Sequence, residues 1–317
     1  MYVLGIETSC DETSAAVVKD GRSVMSNVVA SSLSFHKKYG GVVPEIASRM
    51  QLEYIAAVCS SAMEEAGKEL KEIKLICVTE WPGLLGSLLV GISFARAVGL
   101  GLGIPLLGVD HVQSHIYANF LNGAGVKFPF VALVVSGGHT NLFYARDFGK
   151  IKPLGNTQDD ACGEAFDKVA KILGLGYPGG PLIEKLAKEG DAGKIKFSCS
   201  GTQGALDFSF SGIKTAVLYY LERHQPQAAS RKFRADIAAS FQEAAVDTLV
   251  KKSMLACRMK KADRLVIGGG VAANSRLREK FSAAAKEAGI KFYFPPSGLC
   301  MDNAAMVAGL GYRLYTK

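Results

Sequence analysis

Short apolar runs alternate along the chain with longer stretches in which apolar residues recur every three or four positions. Residues 2–6 are an apolar run, 7–14 a small polar turn, and 15–18 a second apolar run. Residues 130–135, 136–140 and 141–145 repeat that order. Each set predicts a strand–turn–strand unit, and the repeat predicts two structurally related lobes. Ile46, Met50, Ile55, Val58 and Met63 fall at roughly helical spacing, so 45–66 reads as a helix that Gly67 ends. The pattern then predicts a buried strand over 75–79, an apolar helix over 86–100 and a strand over 106–109. Asp110 is placed to cap a helix beginning at His111. In the second half, helices are predicted over 161–173, 182–189, 213–223, 235–260, from about 274, and over 301–315, with a strand at 264–267. Alternating strands and helices define an α/β protein.

A chain of 317 residues suits two lobes of roughly 150 residues each. The lobes are read as 1–127 and 128–300, with the C-terminal helix 301–317 packing back on the first. Hydrophobic residues make up 49% and charged residues 21%, a balance that supports a sizeable core and argues against disorder. The seven cysteines include no CxxC pair, which points to reduced thiols in a cytoplasmic protein. The first residues lack a basic region followed by a long apolar one, so no signal peptide is expected. The most membrane-like stretch, 83–109, is split by Arg96, and a charge at mid-span is expensive. A buried helix followed by a buried strand is expected there, with no membrane partner. The net charge of +8, with many basic residues from Arg231 to Lys280, permits a polyanionic partner such as RNA. The cations at Arg231 to Arg234 are the first candidates to meet phosphate.

Three motifs point to chemistry. In His111-Val-Gln-Ser-His115 the two imidazoles share one helical face and can reach one metal ion. Val112 stands where an HExxH metallopeptidase has its general base, which disfavours that class. Asp302 reads either as a third ligand or as a cap or first-turn acid of the last helix. In Val134-Val135-Ser136-Gly137-Gly138-His139-Thr140, small residues let backbone N–H groups approach an anion. The matching turn at 7–14 has hydroxyls and carboxylates suited to phosphate and a hydrated cation. As a facing pair from two lobes, the turns read as a phosphate clamp. Finally, Gly268-Gly269-Gly270 between a strand and a helix suits a nucleotide. It has neither dinucleotide nor P-loop spacing. Asp167 reads as a ribose ligand or a solvated acid.

Together these segments resemble the universal tRNA threonylcarbamoyladenosine transferases. The resemblance rests on GIETSCDETS at 5–14, HKKYGGVVPEIASR at 36–49, HVQSH at 111–115, VSGGHT at 135–140, DDACGEAFDK at 159–168, LGYPGGP at 175–181, DFSFSGIKTA at 207–216, GGVAAN at 269–274 and MDNAAM at 301–306. It implies a duplicated two-lobe actin-like ATPase fold, shared with hexokinase and Hsp70. It implies that His111, His115 and Asp302 bind one iron or zinc ion. Val134, Val135, Ser136, Gly137, Gly138, His139, Asp167, Gly180, Glu184 and Asn274 would line a site for threonylcarbamoyl-adenylate or another adenine nucleotide. Asp11 and Glu12 would be candidates for a polar catalytic role. The implied acceptor is adenosine 37 of tRNAs reading codons that begin with A. The implied partners are tRNA, TsaB-like and TsaE-like proteins, and a separate synthase for the adenylate. One departure is Trp81, where the family usually has glycine, which puts the loop geometry there in question. Rival readings are a zinc peptidase, a sugar or acid kinase of the same superfold, and a non-catalytic scaffold.

Overall fold

The computed structural model describes residues 1–317 apart from Ala124 and Ser200, and all side chains but theirs and those of Pro226, Ala228 and Ser297. The chain forms two compact units, Met1–Val126 with Pro295–Lys317, and Lys127–Phe294. The first unit holds strands β1 (Tyr2–Glu7), β2 (Glu12–Lys19), β3 (Ser23–Ser31), β4 (Ile73–Trp81) and β5 (Leu106–Asp110). The second holds β6 (Phe130–Val135), β7 (Thr140–Ala145), β8 (Ile151–Asn156), β9 (Arg264–Gly268) and β10 (Lys291–Tyr293).

Both sheets have one topology. The first runs β3-β2-β1-β4-β5 and the second β8-β7-β6-β9-β10. In each, the first three strands in sequence are antiparallel neighbours, and the next two join in parallel. The duplication expected from the two strand–turn–strand units is therefore present at the level of whole sheets. The central strands are the most apolar: β6 is buried throughout and β1 from Val3 onward. Such strands, covered on both faces, read as continuous apolar runs. The edge strands β3, β8 and β10 carry mixed residues and are half exposed. The apolar pattern does not single them out.

In the first unit, helix Pro44–Glu65 and helix Leu85–Leu102 pack on one face of the sheet, and helix Ala304–Tyr315 on β1, β2 and β4. Glycine at position 5 is required here, because a Cβ would collide with the Ala304 carbonyl oxygen. Helix Leu85–Leu102 corrects an expectation. It buries Ser87, Leu88, Gly91, Ala95 and Gly99 and leaves Leu85, Leu89 and Leu100 exposed. The small residues let one face press on the sheet, while the apolar residues on the other face stay open. Among the described residues it is the one helix long and apolar enough to cross a membrane. The strand after it, β5, is likewise half-buried, since it is the sheet edge.

Candidate functional site

In the first unit the site begins where β1 ends. Its last residue, Glu7, is fully buried, and a buried carboxylate must be paired and hydrogen-bonded. Its Oε2 accepts from Thr79 Oγ1 at 2.6 Å and lies 2.9 Å from His111 Nδ1. Its Oε1 accepts from the Ser9 N–H at 2.5 Å, and Ser9 Oγ lies 3.1 Å from the same His111 nitrogen. Sheet order brings these residues together, because β1 adjoins β4 and β4 adjoins β5, from which His111 follows directly.

Helix His111–Tyr117 begins as the spacing predicts. Asp110 caps it, accepting from the Gln113 N–H at 2.8 Å. The His111 and His115 rings lie 4.7 Å apart, edge to face. Asp302 Oδ1 is 3.0 Å from His115 Nε2 and 3.7 Å from His111 Nε2. Asp302 itself stands ahead of the last helix rather than at its start. Asn303 is the cap, accepting from the Met306 N–H, and the helix opens at Ala304.

Ligand atoms of His111, His115 and Asp302 all lie within 4.8 Å of one another, so the three residues form a possible metal site. The donor set fits a cation on chemical grounds. Glu7 engages Nδ1 of His111, which leaves Nε2 on the side of Asp302. A carboxylate behind a histidine is the usual way a metal-ligating ring is oriented. Two imidazoles and one carboxylate suit iron or zinc better than magnesium or calcium. With protons alone, burial opposes charge on His111, but Glu7 and Asp302 outweigh it and raise its pKa to about 9. Burial also acts to raise the Glu7 pKa, and His111 holds it below the usual value instead.

Asp11 follows Ser9 in the β1–β2 turn, and Glu12 opens β2. Gln51, fully buried, stitches that turn by donating from Nε2 to the carbonyl oxygens of Cys10 at 2.9 Å and Glu12 at 3.0 Å. Ser32 donates to the Asp11 carbonyl through its N–H at 3.0 Å and its hydroxyl at 2.8 Å. Burial, then Asp302 and Asp11, push the Glu12 pKa well above the ordinary carboxylate range.

The nucleotide-type residues of the second unit form a connected ring of contacts. The Ser136 N–H donates to the His139 carbonyl at 2.8 Å, closing the turn after β6, and Gly137 and Gly138 are exposed. Val134 and Val135 are fully buried and paired within the sheet, so they support the turn rather than face a ligand. Gly163, at the start of helix Cys162–Ile172, donates to the Ser136 carbonyl at 3.1 Å. A Cβ there would lie 2.6 Å from that oxygen. Further along this helix, Asp167 accepts from the Gly179 N–H at 2.6 Å. Gly180 beside it has open space where a side chain would be. Glu184, on helix Gly179–Ala187, accepts from the Ser275 N–H at 3.1 Å and from its hydroxyl. Asn274 caps helix Ser275–Glu287 through the Leu277 N–H at 2.9 Å and donates to Gln242 Oε1 at 2.8 Å. Gly269, at φ +91°, closes the ring: a Cβ there would strike the Val135 carbonyl. The ring surrounds the carboxyl ends of parallel strands β6 and β9, where open α/β sheets bind ligands.

Sequence reasoning missed Thr79 and Gln51, and placed Glu7 in the phosphate-facing turn rather than behind His111. A charged residue ending an apolar strand is the signal for Glu7, but its partners lie 72 and 104 positions away. Trp81 lies at the end of β4, paired with Asp110 and 56% exposed, and its backbone is not left-handed. The Arg231–Arg234 cations are largely occupied. Arg231 makes a two-point bond with Glu189, Lys232 pairs with Asp236, and Arg234 donates to the carbonyls of Leu173 and Ala229.

A duplicated sheet with helices packed on it is the actin-like ATPase fold, and solved structures agree. Component A of the (R)-2-hydroxyglutaryl-CoA dehydratase of Acidaminococcus fermentans aligns with a TM-score of 0.56 at 14% identity, over 100% of each chain. The ROK hexokinase of Thermus thermophilus aligns with a TM-score of 0.53 at 17% identity, again over 100% of each. Likeness at these identities concerns the fold alone. Residues 23–309 match the TsaD family, described as tRNA N6-adenosine threonylcarbamoyltransferase. A relative of that name from Symbiobacterium thermophilum is 53% identical over 313 residues, covering 99% of this chain and 91% of the relative. This chain belongs to the TsaD family of tRNA N6-adenosine threonylcarbamoyltransferases.

Proposed function

We propose that this chain, acting in the cytoplasm, moves threonylcarbamoyl from threonylcarbamoyl-adenylate to N6 of adenosine 37 in tRNAs reading codons that begin with A. The N6 amine forms a bond to the carbamoyl carbon, the bond from that carbon to the phosphate oxygen breaks, and AMP leaves with the electron pair. N6 gives up a proton. Asp11 and Glu12 are the acid–base candidates for that proton. His111, His115 and Asp302 would hold an iron or zinc ion, with Glu7 fixing the His111 ring. Bound there, the ion supplies Lewis-acid stabilisation of negative charge. In the Ser136–His139 turn the backbone N–H groups of Gly137 and Gly138 would hold phosphate, those of Ser136 and His139 being engaged within the turn, and Asp167 would take a ribose hydroxyl. Gly180, Glu184 and Asn274 shape the adenosine end, Asn274 by fixing its helix rather than by reaching out. TsaB-like and TsaE-like proteins and a separate synthase complete the system.

One observation carries the reading: in a chain of this family, His111, His115 and Asp302 converge with a buried carboxylate behind them. The same contacts take Glu7 out of the running as a peptidase base, because it is engaged by His111, Thr79 and Ser9. The test is mass spectrometry of nucleosides from tRNA incubated with the protein, its helpers, threonine, bicarbonate and ATP. Threonylcarbamoyladenosine is expected with the native chain and is lost, together with the metal, in His111→Ala and His115→Ala. Full activity of metal-free enzyme refutes the metal assignment, and no product with every helper present refutes the function.

A further inference from the structure

Between β3 and helix Pro44–Glu65 lies a segment that the reaction described above does not use. Phe35 is 43% and Tyr39 52% exposed, so each ring keeps an open face. Lys37 and Lys38 between them are exposed as well. Neither lysine has an acidic partner among the described residues, and Lys38 Nζ lies 5.0 Å over the Tyr39 ring. No acidic residue occurs from 32 to 43. Gly40, at φ +71°, and Gly41, with open space around it, leave the backbone beyond Tyr39 approachable.

His36 turns inward from the same segment and is fully buried. The Val43 N–H donates to its Nδ1 at 3.3 Å, so the ring proton sits on Nε2, 2.9 Å from Ser32 Oγ. The Ser32 hydroxyl in turn donates a hydrogen bond to the Asp11 carbonyl at 2.8 Å. The exposed rings and cations are therefore tied, through His36 and Ser32, to the turn that carries Asp11 and leads into Glu12. Ser9 of that turn contacts His111.

We propose that residues 35–39, in the short helical turns Leu33–His36 and Lys37–Tyr39, form an RNA-docking loop between β3 and helix Pro44–Glu65, in which Tyr39 and Phe35 stack on unpaired bases beside the target adenosine and Lys37 and Lys38 meet the flanking phosphates. Unpaired loop bases are recognised by stacking on aromatic side chains, with cations tracking the backbone. The absence of acids suits a polyanion, and the anchoring to the Asp11 turn fixes the distance between stacked base and reacting groups. The proposal rests on the tRNA-modifying function put forward above.

The experiment compares the native chain with Lys37→Glu/Lys38→Glu, Tyr39→Ala and Tyr39→Phe. It measures tRNA affinity against salt, product formation, metal content and melting temperature. Losing two phosphate contacts is expected to flatten the slope of log affinity against log salt by about 1.4, at roughly 0.7 per single-strand contact. Tyr39→Ala is expected to weaken binding roughly five- to 150-fold, and Tyr39→Phe to retain it. Metal content and melting temperature stay unchanged. If the native chain modifies tRNA while the variants bind with its affinity and slope, the loop proposal falls and the function stands. A fall in metal content alongside the affinity assigns the effect to the turn and overturns docking. A native chain that neither binds nor modifies tRNA overturns both.

Discussion

Glu7 acts on His111, a proposed metal ligand, without being one itself. Its two oxygens hold Thr79, Ser9 and His111, and with no exposed surface it has no water to fall back on. Glu7→Gln keeps the shape and removes the charge. An amide oxygen cannot match a carboxylate as acceptor for an imidazole N–H, so the ring loses its orienting partner. The expected outcome is metal affinity lower by roughly 10- to 100-fold, read by competition with a chelator, with the melting temperature of the second unit unchanged. Native metal affinity in this variant would make Glu7 a packing residue only. Trp81 gives the opposite expectation at the same scale. Trp81 is mostly in water and its backbone, beside a register shift at the end of β4, is not left-handed, so Trp81→Gly should cost about 1 kcal/mol in thermal unfolding, the usual penalty of glycine in a strand.

Between elements, the clearest charge-dependent contact joins helix Arg231–Lys260 to helix Ser275–Glu287. Glu243 accepts from Arg276 at 2.8 and 3.0 Å and from Lys280, which also pairs with Asp247. The Arg276 hydrogen bonds, against the opposing effect of burial, bring the Glu243 pKa from 4.5 down to about 2. A lowered folded pKa means that this stabilisation is complete above pH 4.5 and is lost as pH falls toward 2. The pair is partly solvated, so the loss is on the order of 1–3 kcal/mol. Glu243→Gln should lower stability at neutral pH and flatten the acid limb of the second unit's melting curve between pH 5 and 2. An acid limb as steep as that of the native chain would show that other carboxylates carry it. The same scale explains what could be read in advance. One helical turn suffices to join His111 and His115, so the HVQSH spacing revealed them, and Asp110 announced its own cap. Asp302 lies 187 residues from His115, and its neighbourhood depends on where the last helix docks. The links Glu7–Thr79 and Glu184–Ser275 depend on sheet order and helix packing, which no local period encodes. Strand β10 has three residues, too few to carry an alternation.

At the scale of the whole molecule, the chain enters the second unit at Lys127, leaves it at Phe294, and returns to complete the first. Each unit has its own apolar core. The returning segment supplies more than Asp302. Its helix buries every residue from Ala304 to Gly311, and its small side chains let it lie close on the sheet. A Cβ at Gly311 would strike Cys77 Sγ, and one at Gly309 the Tyr117 ring. The Ala304 N–H donates to Ser14 Oγ at 3.0 Å, tying the helix start to β2. Ending the chain at Phe294 therefore removes Asp302, the proposed third ligand, and uncovers one face of the first sheet together, whereas the second unit loses none of its own residues. The expected outcome is a protein with no stoichiometric metal by mass spectrometry, strong amide exchange across β1, β2 and β4, and native protection across β6, β7 and β9. Residues 127–294 expressed alone should show that same protected pattern. A chain ending at Phe294 that still held one metal ion per molecule would mean that His111 and His115 recruit a different third ligand, and Asp302 would lose its assignment.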